Sequence, residues 1–211
     1  MTDYQLQKGL YLSPTPYGAY TATATAIDSP EKTFLTNILC KWRTPELTSE
    51  ELMDLTAIND LEKAQTLLFQ CQEAKLIQGL NSQSMFPDQS LEKSLPEYLQ
   101  NLATSKHAML ADNHGFYLAN VGFEHDVAEE FAALSADIAI MHEKHERALN
   151  QLTNEKSNAW AIVDGMGNSR IGFWPMYIGE HRFVLVLEGN AQLNQPALTQ
   201  LIQALCLKYN T

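Results

Sequence analysis

The sequence predicts an α+β protein: a mostly helical first part, followed by an α/β/α unit built on a five-stranded antiparallel sheet. Three observations support this class. Apolar residues recur at helical spacing before about residue 80, and helix and strand patterns alternate after about residue 90. The intervening segment 81–90, NSQSMFPDQS, is polar and contains a proline, which is typical of a domain boundary. We therefore predict an N-terminal unit over residues 1–86 and a C-terminal unit over residues 91–211.

Composition and charge limit the classes of partner. The 211 residues carry a formal net charge of −11, with 25 acidic and 14 basic side chains. Such a chain repels polyphosphates and anionic lipids, so nucleic acid is not an expected partner. No stretch approaches the ~20 apolar residues of a membrane span. The three cysteines are far apart and have no CxxC or Cys/His spacing, so we expect buried free thiols and a reducing, cytoplasmic location.

The N-terminal unit begins with a Thr-, Tyr-, Ala- and Pro-rich segment, residues 4–27, that we interpret as a loose hairpin or an extended arm. Three helices are predicted after it. The first is capped by Ser29 and continues to Arg43, the second opens at Thr48, and Asn59 or Asp60 caps the third. A short β segment over 76–80, paired with 84–86, is predicted to follow.

Three helices followed by a β-wing resemble a winged helix-turn-helix domain, and the resemblance covers residues 31–86. It implies that the third helix would read DNA in DNA-binding members. Residues 1–80, however, hold six basic and ten acidic side chains, a net charge of −4. We therefore favour protein contact over DNA binding. The alternative, a DNA-binding transcription regulator, predicts a basic patch formed by Lys41, Arg43, Lys63 and Lys75.

The C-terminal unit is predicted as helix, two strands, long helix, three strands and helix. The first helix spans 91–104, and strands 107–112 and 116–121 form a hairpin around the turn Asp112–Gly115. The long helix should be capped by Asp126, with Glu129 in capping-box register. Strands are predicted at 159–163, 171–178 and 183–187, and Pro196 begins the last helix. The stripe expected to be buried on the long helix consists of Val127, Phe131, Leu134, Ile138 and Met141.

This order of elements and several residues resemble the roadblock or dynein light-chain family, over residues 91–209. The similar positions are Asp112, Gly115, Leu118-Ala119 and Gly122, a DxxGxxLAxxG pattern, followed by Ala128 to Leu134 and Ala136 on an Ala- and Leu-rich helix. The resemblance implies a profilin-like α/β/α domain that forms homodimers. It also implies a non-catalytic module that binds, regulates or scaffolds a small Ras-like GTPase or a similar partner.

No chemistry-bearing motif in the sequence supports an enzyme. His142-Glu143-Lys144-His145 places two imidazoles three residues apart rather than four, and no third metal ligand follows in register. Asp164 to Asn168, DGMGN, lacks the lysine of a phosphate loop and is interpreted as a turn. The S-x-x-K at Ser90 has no supporting partners. We predict no catalytic, cofactor-binding or metal-binding residues.

Overall fold

The N-terminal part contains four helices and a two-stranded sheet. The computed structural model describes residues 6–87, 89–149, 151 and 158–210. Side-chain oxygens of Thr15, Ser29, Thr48 and Asp60 cap the four helices by accepting backbone N–H groups of the first turn. The elements are β1 (Tyr11–Pro14), α1 (Pro16–Thr23), α2 (Pro30–Leu39), α3 (Ser49–Thr56), α4 (Leu61–Glu73) and β2 (Ile77–Leu80).

The structure corrects the prediction for the front segment. Residues 16–23, partly assigned to β structure above, form helix α1, because Thr15 caps it and Pro16 supplies the fixed φ of its first turn. Residues 4 and 5 of this predicted arm lie outside the described residues. The predicted first helix also ends early, at Leu39 rather than Arg43.

The predicted β-wing is wrong. Strand β2 pairs antiparallel with β1, where Ile77 lies opposite Pro14, and not with residues 84–86. Met85 instead makes an isolated bridge with Arg43. The sequence pattern assigned β2 to the nearest segment along the chain, whereas pairing with β1 places Leu12 in the core.

The C-terminal part confirms the predicted five-stranded antiparallel sheet. Its strand order is β4-β3-β7-β6-β5, so β4 and β5 are the two edges. The elements are α5 (Leu91–Leu99), β3 (Ala108–Asp112), β4 (Tyr117–Val121), α6 (His125–Leu149), β5 (Trp160–Val163), β6 (Ser169–Ile178), β7 (His181–Glu188) and α7 (Pro196–Tyr209).

Two predicted helix ends are corrected. Helix α5 stops at Leu99, five residues before the predicted end, and turns follow it. Helix α6 begins at His125, so Asp126 lies in its first turn and is not the N-cap. The carbonyl of Glu124 accepts the first helical hydrogen bond, from the N–H of Ala128 at 2.9 Å. The Asp126 carboxylate still lies near the positive end of the helix dipole.

Helices cover both faces of the large sheet. Helix α6 packs on one face over a core that includes Met109, Phe173 and Val186. Helices α5 and α7 pack on the other face, α1 contacts both α7 and strand β6, and α2 contacts α7. The N-terminal helices therefore share one continuous apolar core with α5 and α7. The division into two units, residues 1–86 and 91–211, stays a prediction.

Candidate functional site

Helix α6 buries small residues against the sheet rather than the large apolar stripe predicted for that role. Its buried residues recur every three or four positions and are Ala128, Ala132, Ser135 and Ala139. Small side chains let a helix approach a sheet closely, and the sheet supplies the large residues here, Met109 and Phe173 among them. The sequence prediction of one buried face was right, but it selected the wrong residues.

The predicted stripe lies instead on the flank of α6. The residues that we call the α6 seam are Val127, Phe131, Leu134, Ile138 and Met141. They lie roughly 100° around the helix axis from the buried alanines. The middle three are half-buried, and the two ends, Val127 and Met141, are each 40% exposed. The 4-3-4-3 spacing is that of residues which pack one helix against another.

Strand β5 extends this apolar surface. Trp160 and Ile162 pair with Phe173 and Ile171, which belong to the core beneath α6, so all four side chains are on the α6 face of the sheet. Phe173 is fully buried, whereas Ile162 is 48% exposed. The outer edge of β5 has no strand partner among the described residues.

A contact between His142 and Trp160 shows which flank of α6 faces β5. The indole Nε1–H of Trp160 donates a hydrogen bond of 3.0 Å to Nδ1 of His142, and the two rings meet edge to face. His142 follows Met141 directly and is on the flank of the helix that carries the seam. The α6 seam and the exposed face of β5 therefore border the same open apolar surface, which we call the α6–β5 surface.

The same hydrogen bond bears on the His142-Glu143-Lys144-His145 motif. Because Nδ1 of His142 accepts the indole proton, only Nε2 of this ring is available to another group. Glu143 pairs with Arg182 of β7. Within the described part of the chain, no group of three or more His, Cys, Asp or Glu side chains is arranged to hold a metal ion.

The basic side chains proposed for a DNA-binding patch are partly neutralised. Lys41 lies 3.4 Å from a carboxylate oxygen of Glu51 and 3.5 Å from one of Asp54. Lys63 pairs with Asp60 at 3.4 Å. Two of the four predicted basic residues are thus paired with carboxylates, and this pairing lowers the local positive potential that phosphate binding needs.

Both predicted aspartate turns are confirmed. Oδ1 of Asp112 accepts the N–H groups of His114 and Phe116, and Gly115 closes the hairpin at φ 81°. Oδ1 of Asp164 likewise accepts the N–H of Met166 and of Asn168. These backbone hydrogen bonds lower the pKa of the Asp164 carboxyl, those from Asn168 most strongly. Each carboxylate therefore has a structural role in its turn.

No family model matches this chain, and no curated protein matches it. Several solved structures are similar to it. A Roadblock/LC7 domain from Streptomyces avermitilis shares 13% identity with a TM-score of 0.37, covering 57% of this chain and 93% of that one. The gliding protein MglB from Thermus thermophilus shares 22% identity with a TM-score of 0.35, covering 59% and 93%. MglB from Myxococcus xanthus shares 16% identity with a TM-score of 0.32, covering 56% and 84%.

The first of these structures is a domain of the family that residues 91–209 resemble in sequence. None of the three comparisons supports the winged-helix resemblance of the N-terminal part. Among the described residues, no helix combines the length and the apolar character that crossing a bilayer requires.

Proposed function

We propose that this chain is a non-catalytic, homodimeric protein-interaction module that regulates or scaffolds a small Ras-like GTPase or a similar partner. The α6–β5 surface is the observation that supports the homodimer. There the regularly spaced α6 seam lies beside the edge of β5, which has no strand partner among the described residues. The GTPase follows from the resemblance of residues 91–209 to the roadblock family. Three free cysteines favour the cytoplasm as the place where the module acts.

A second copy is the occupant that suits the α6–β5 surface best. A two-fold axis beside β5 brings the two β5 edges together and extends the sheet across both copies. The same axis sets the two α6 helices antiparallel, which is the arrangement that a seam of 4-3-4-3 spacing supports.

Light scattering on the purified chain tests the homodimer. We expect the wild type at micromolar concentration to have twice the mass of one chain. Met141→Glu and Ile162→Glu each place a carboxylate in the α6–β5 surface and should give monomers, since an unpaired charge in an apolar interface costs several kcal/mol. Both side chains are exposed in one copy, so the fold of each protomer should persist.

Ile140→Glu is the matched control. Ile140 adjoins Met141 and is 58% exposed, but it lies on the opposite flank of α6, away from β5. This variant should remain dimeric. A monomeric wild type, or equal dissociation of the Ile140 and Met141 variants, would show that the α6–β5 surface is not the dimer interface.

Co-purification tests the GTPase separately. The tagged chain, expressed in its native cell, should recover a Ras-like GTPase in a manner that depends on whether GTP or GDP is added to the lysate. Recovery of only unrelated proteins would remove the GTPase from the proposal while leaving the homodimer in place. The Ile140→Glu chain serves as the control for a surface change that leaves the dimer intact.

A further inference from the structure

Two of the three cysteines meet across the boundary between the N-terminal helices and α7. Cys40 ends helix α2, and Cys206 lies in helix α7, 166 positions further along the chain. Sγ of Cys40 lies 4.0 Å from the backbone carbonyl oxygen of Cys206, which accepts its S–H. Nδ2 of Asn210 also donates to Sγ of Cys40, at 3.2 Å.

This arrangement makes the two thiols chemically different. Hydrogen bonding between the side chains of Cys40 and Cys206 lowers the pKa of the Cys40 thiol to about 7, against the opposing effect of burial, and the Asn210 amide adds to the lowering. The same hydrogen bond and almost complete burial raise the pKa of Cys206. Cys40 is therefore the thiol that forms a thiolate near neutral pH, and only a thiolate is a good nucleophile.

A cavity reaches Cys206 and Asn210, the two residues that contact Cys40. Its volume is about 420 Å³, and Cys206 and Asn210 line it together with polar residues such as Thr36 and Asn37. Cys40 itself is only half-buried. A molecule the size of a hydroperoxide fits in this space.

We propose that Cys40 and Cys206 form a redox-active dithiol that hydroperoxides oxidise to a disulfide. The Cys40 thiolate attacks the terminal peroxide oxygen, an S–O bond forms as the O–O bond breaks, and the leaving alkoxide takes up a proton to become an alcohol. The sulfur of Cys206 then attacks the Cys40 sulfenic acid. An S–S bond forms, the S–O bond breaks, and the hydroxide leaves as water with the thiol proton of Cys206.

The two sulfurs thus lose two electrons and the peroxide gains them. A dithiol reductant reverses the reaction by exchange. The product ties helix α2 covalently to α7, so oxidation would fix the N-terminal helices against the C-terminal unit. This inference does not depend on the identity of the protein partner.

Mass spectrometry of the full chain after treatment with hydrogen peroxide tests the proposal. We expect the wild type to lose two hydrogen atoms, to yield a peptide that joins Cys40 to Cys206, and to return to its starting mass with dithiothreitol. Cys206→Ser should retain a Cys40 sulfenic acid that dimedone traps. Cys40→Ser should show neither product.

Cys71 provides the matched control. It is buried in α4, and burial together with the charge of Glu31 raises the pKa of its thiol to about 11. Cys71→Ser should therefore behave as the wild type. A disulfide that includes Cys71, or a stable Cys40 sulfenic acid in the wild type, would overturn the proposal.

A measurement on the unmodified wild type guards against variants that fold poorly. Brief alkylation of the native chain with iodoacetamide should label Cys40 at least about 10-fold faster than Cys71, because the rate follows the thiolate fraction and the exposure. Equal labelling of the two cysteines would contradict the assignment of Cys40 as the nucleophile.

Discussion

Gly18 is the glycine at which an added Cβ would lie nearest to another atom. A Cβ at this position would lie 1.8 Å from the carbonyl oxygen of Leu76 and 2.7 Å from its carbon, both backbone atoms. Nearby, Thr15 donates its N–H to the same Leu76 oxygen at 3.0 Å. Helix α1 can therefore approach the start of β2 only because position 18 has no side chain.

We predict that Gly18→Ala lowers the free energy of unfolding by about 2–4 kcal/mol. Alanine is the better helix former by about 1 kcal/mol, so the clash with Leu76 must outweigh that gain. Urea unfolding followed by circular dichroism measures the change. Gly165→Ala is the control, since no atom lies within 4 Å of its added Cβ, and should alter stability by no more than about 0.5 kcal/mol.

Tyr20 and Asn158 form a polar contact that joins α1 to the end of β6. Oδ1 of Asn158 accepts the hydroxyl of Tyr20 at 2.7 Å. Nδ2 of Asn158 donates to the carbonyls of Ala24 and of Pro175, the latter at 3.2 Å. Burial raises the pKa of the Tyr20 phenol above its usual value, and the neighbouring Tyr177 raises it further.

A raised pKa in the folded state predicts loss of stability at alkaline pH. The contribution of neutral Tyr20 is complete below about pH 10, the unfolded value, and is lost as the pH rises above it, by up to about 1.4 kcal/mol per pH unit. The stability difference between wild type and Tyr20→Phe should therefore stay constant up to about pH 9 and shrink between about pH 10 and pH 12. Urea unfolding of both proteins at each pH measures it, and a constant difference would contradict the burial of an ionisable phenol.

At the scale of the element, helix α6 packs on the sheet with its small residues and places its large apolar residues on a different face. Its alanines lie against Met109, Phe173 and Val186 of the sheet, and its large apolar residues form the α6 seam beside β5. A helix that packs with alanine leaves its leucine, isoleucine and phenylalanine for another contact. Because of this division, α6 packs on the sheet and still leaves large apolar side chains partly exposed.

Ala132→Leu should test the close approach of α6 to the sheet. Ala132 is fully buried, so three further carbon atoms have no space there. We expect unfolding to become easier by about 1–3 kcal/mol, the usual effect of overpacking a filled core. Ala148→Leu adds the same atoms at an exposed position of the same helix and should leave stability within about 0.5 kcal/mol of the wild type.

At the scale of the whole molecule, charge weighs against the alternative of DNA binding. The chain carries a net charge of −11, and Lys41 and Lys63 are paired with carboxylates of the N-terminal helices. We expect no retarded band with any duplex in an electrophoretic mobility assay at low salt, where phosphate contacts are strongest. A basic DNA-binding protein in the same gel supplies the positive control, and a salt-sensitive shift with this chain would revive the alternative.

Local sequence signals predicted much of the fold. Caps at Ser29, Thr48 and Asp60, prolines at helix starts and the Asp112–Gly115 turn act within a few residues, so each could be interpreted without knowledge of distant contacts. The strands of the large sheet followed from alternation between turns. The errors came where a local pattern had two solutions, as in residues 16–23, which form α1, and in β2, which pairs with β1.

The candidate site was visible only in part from the sequence. Spacing revealed the apolar stripe of α6, but not that Ala128 and Ala132 would take the buried side and leave the stripe at the flank. Helical periodicity gives the angle between residues on one helix. It does not give the rotation of that helix against a sheet, which depends on the bulk of Met109 and Phe173 opposite.

The sequence by itself therefore determined most of the elements after residue 28, their order and the acidic, motif-poor character of the chain, because caps, turns and periodicity are local. Only the tertiary structure decided which face of α6 is free, that β5 is an edge, and that Cys40 meets Cys206 across 166 positions. Those facts depend on packing between segments distant in the chain, where side-chain volume and strand order, rather than local propensity, determine the result.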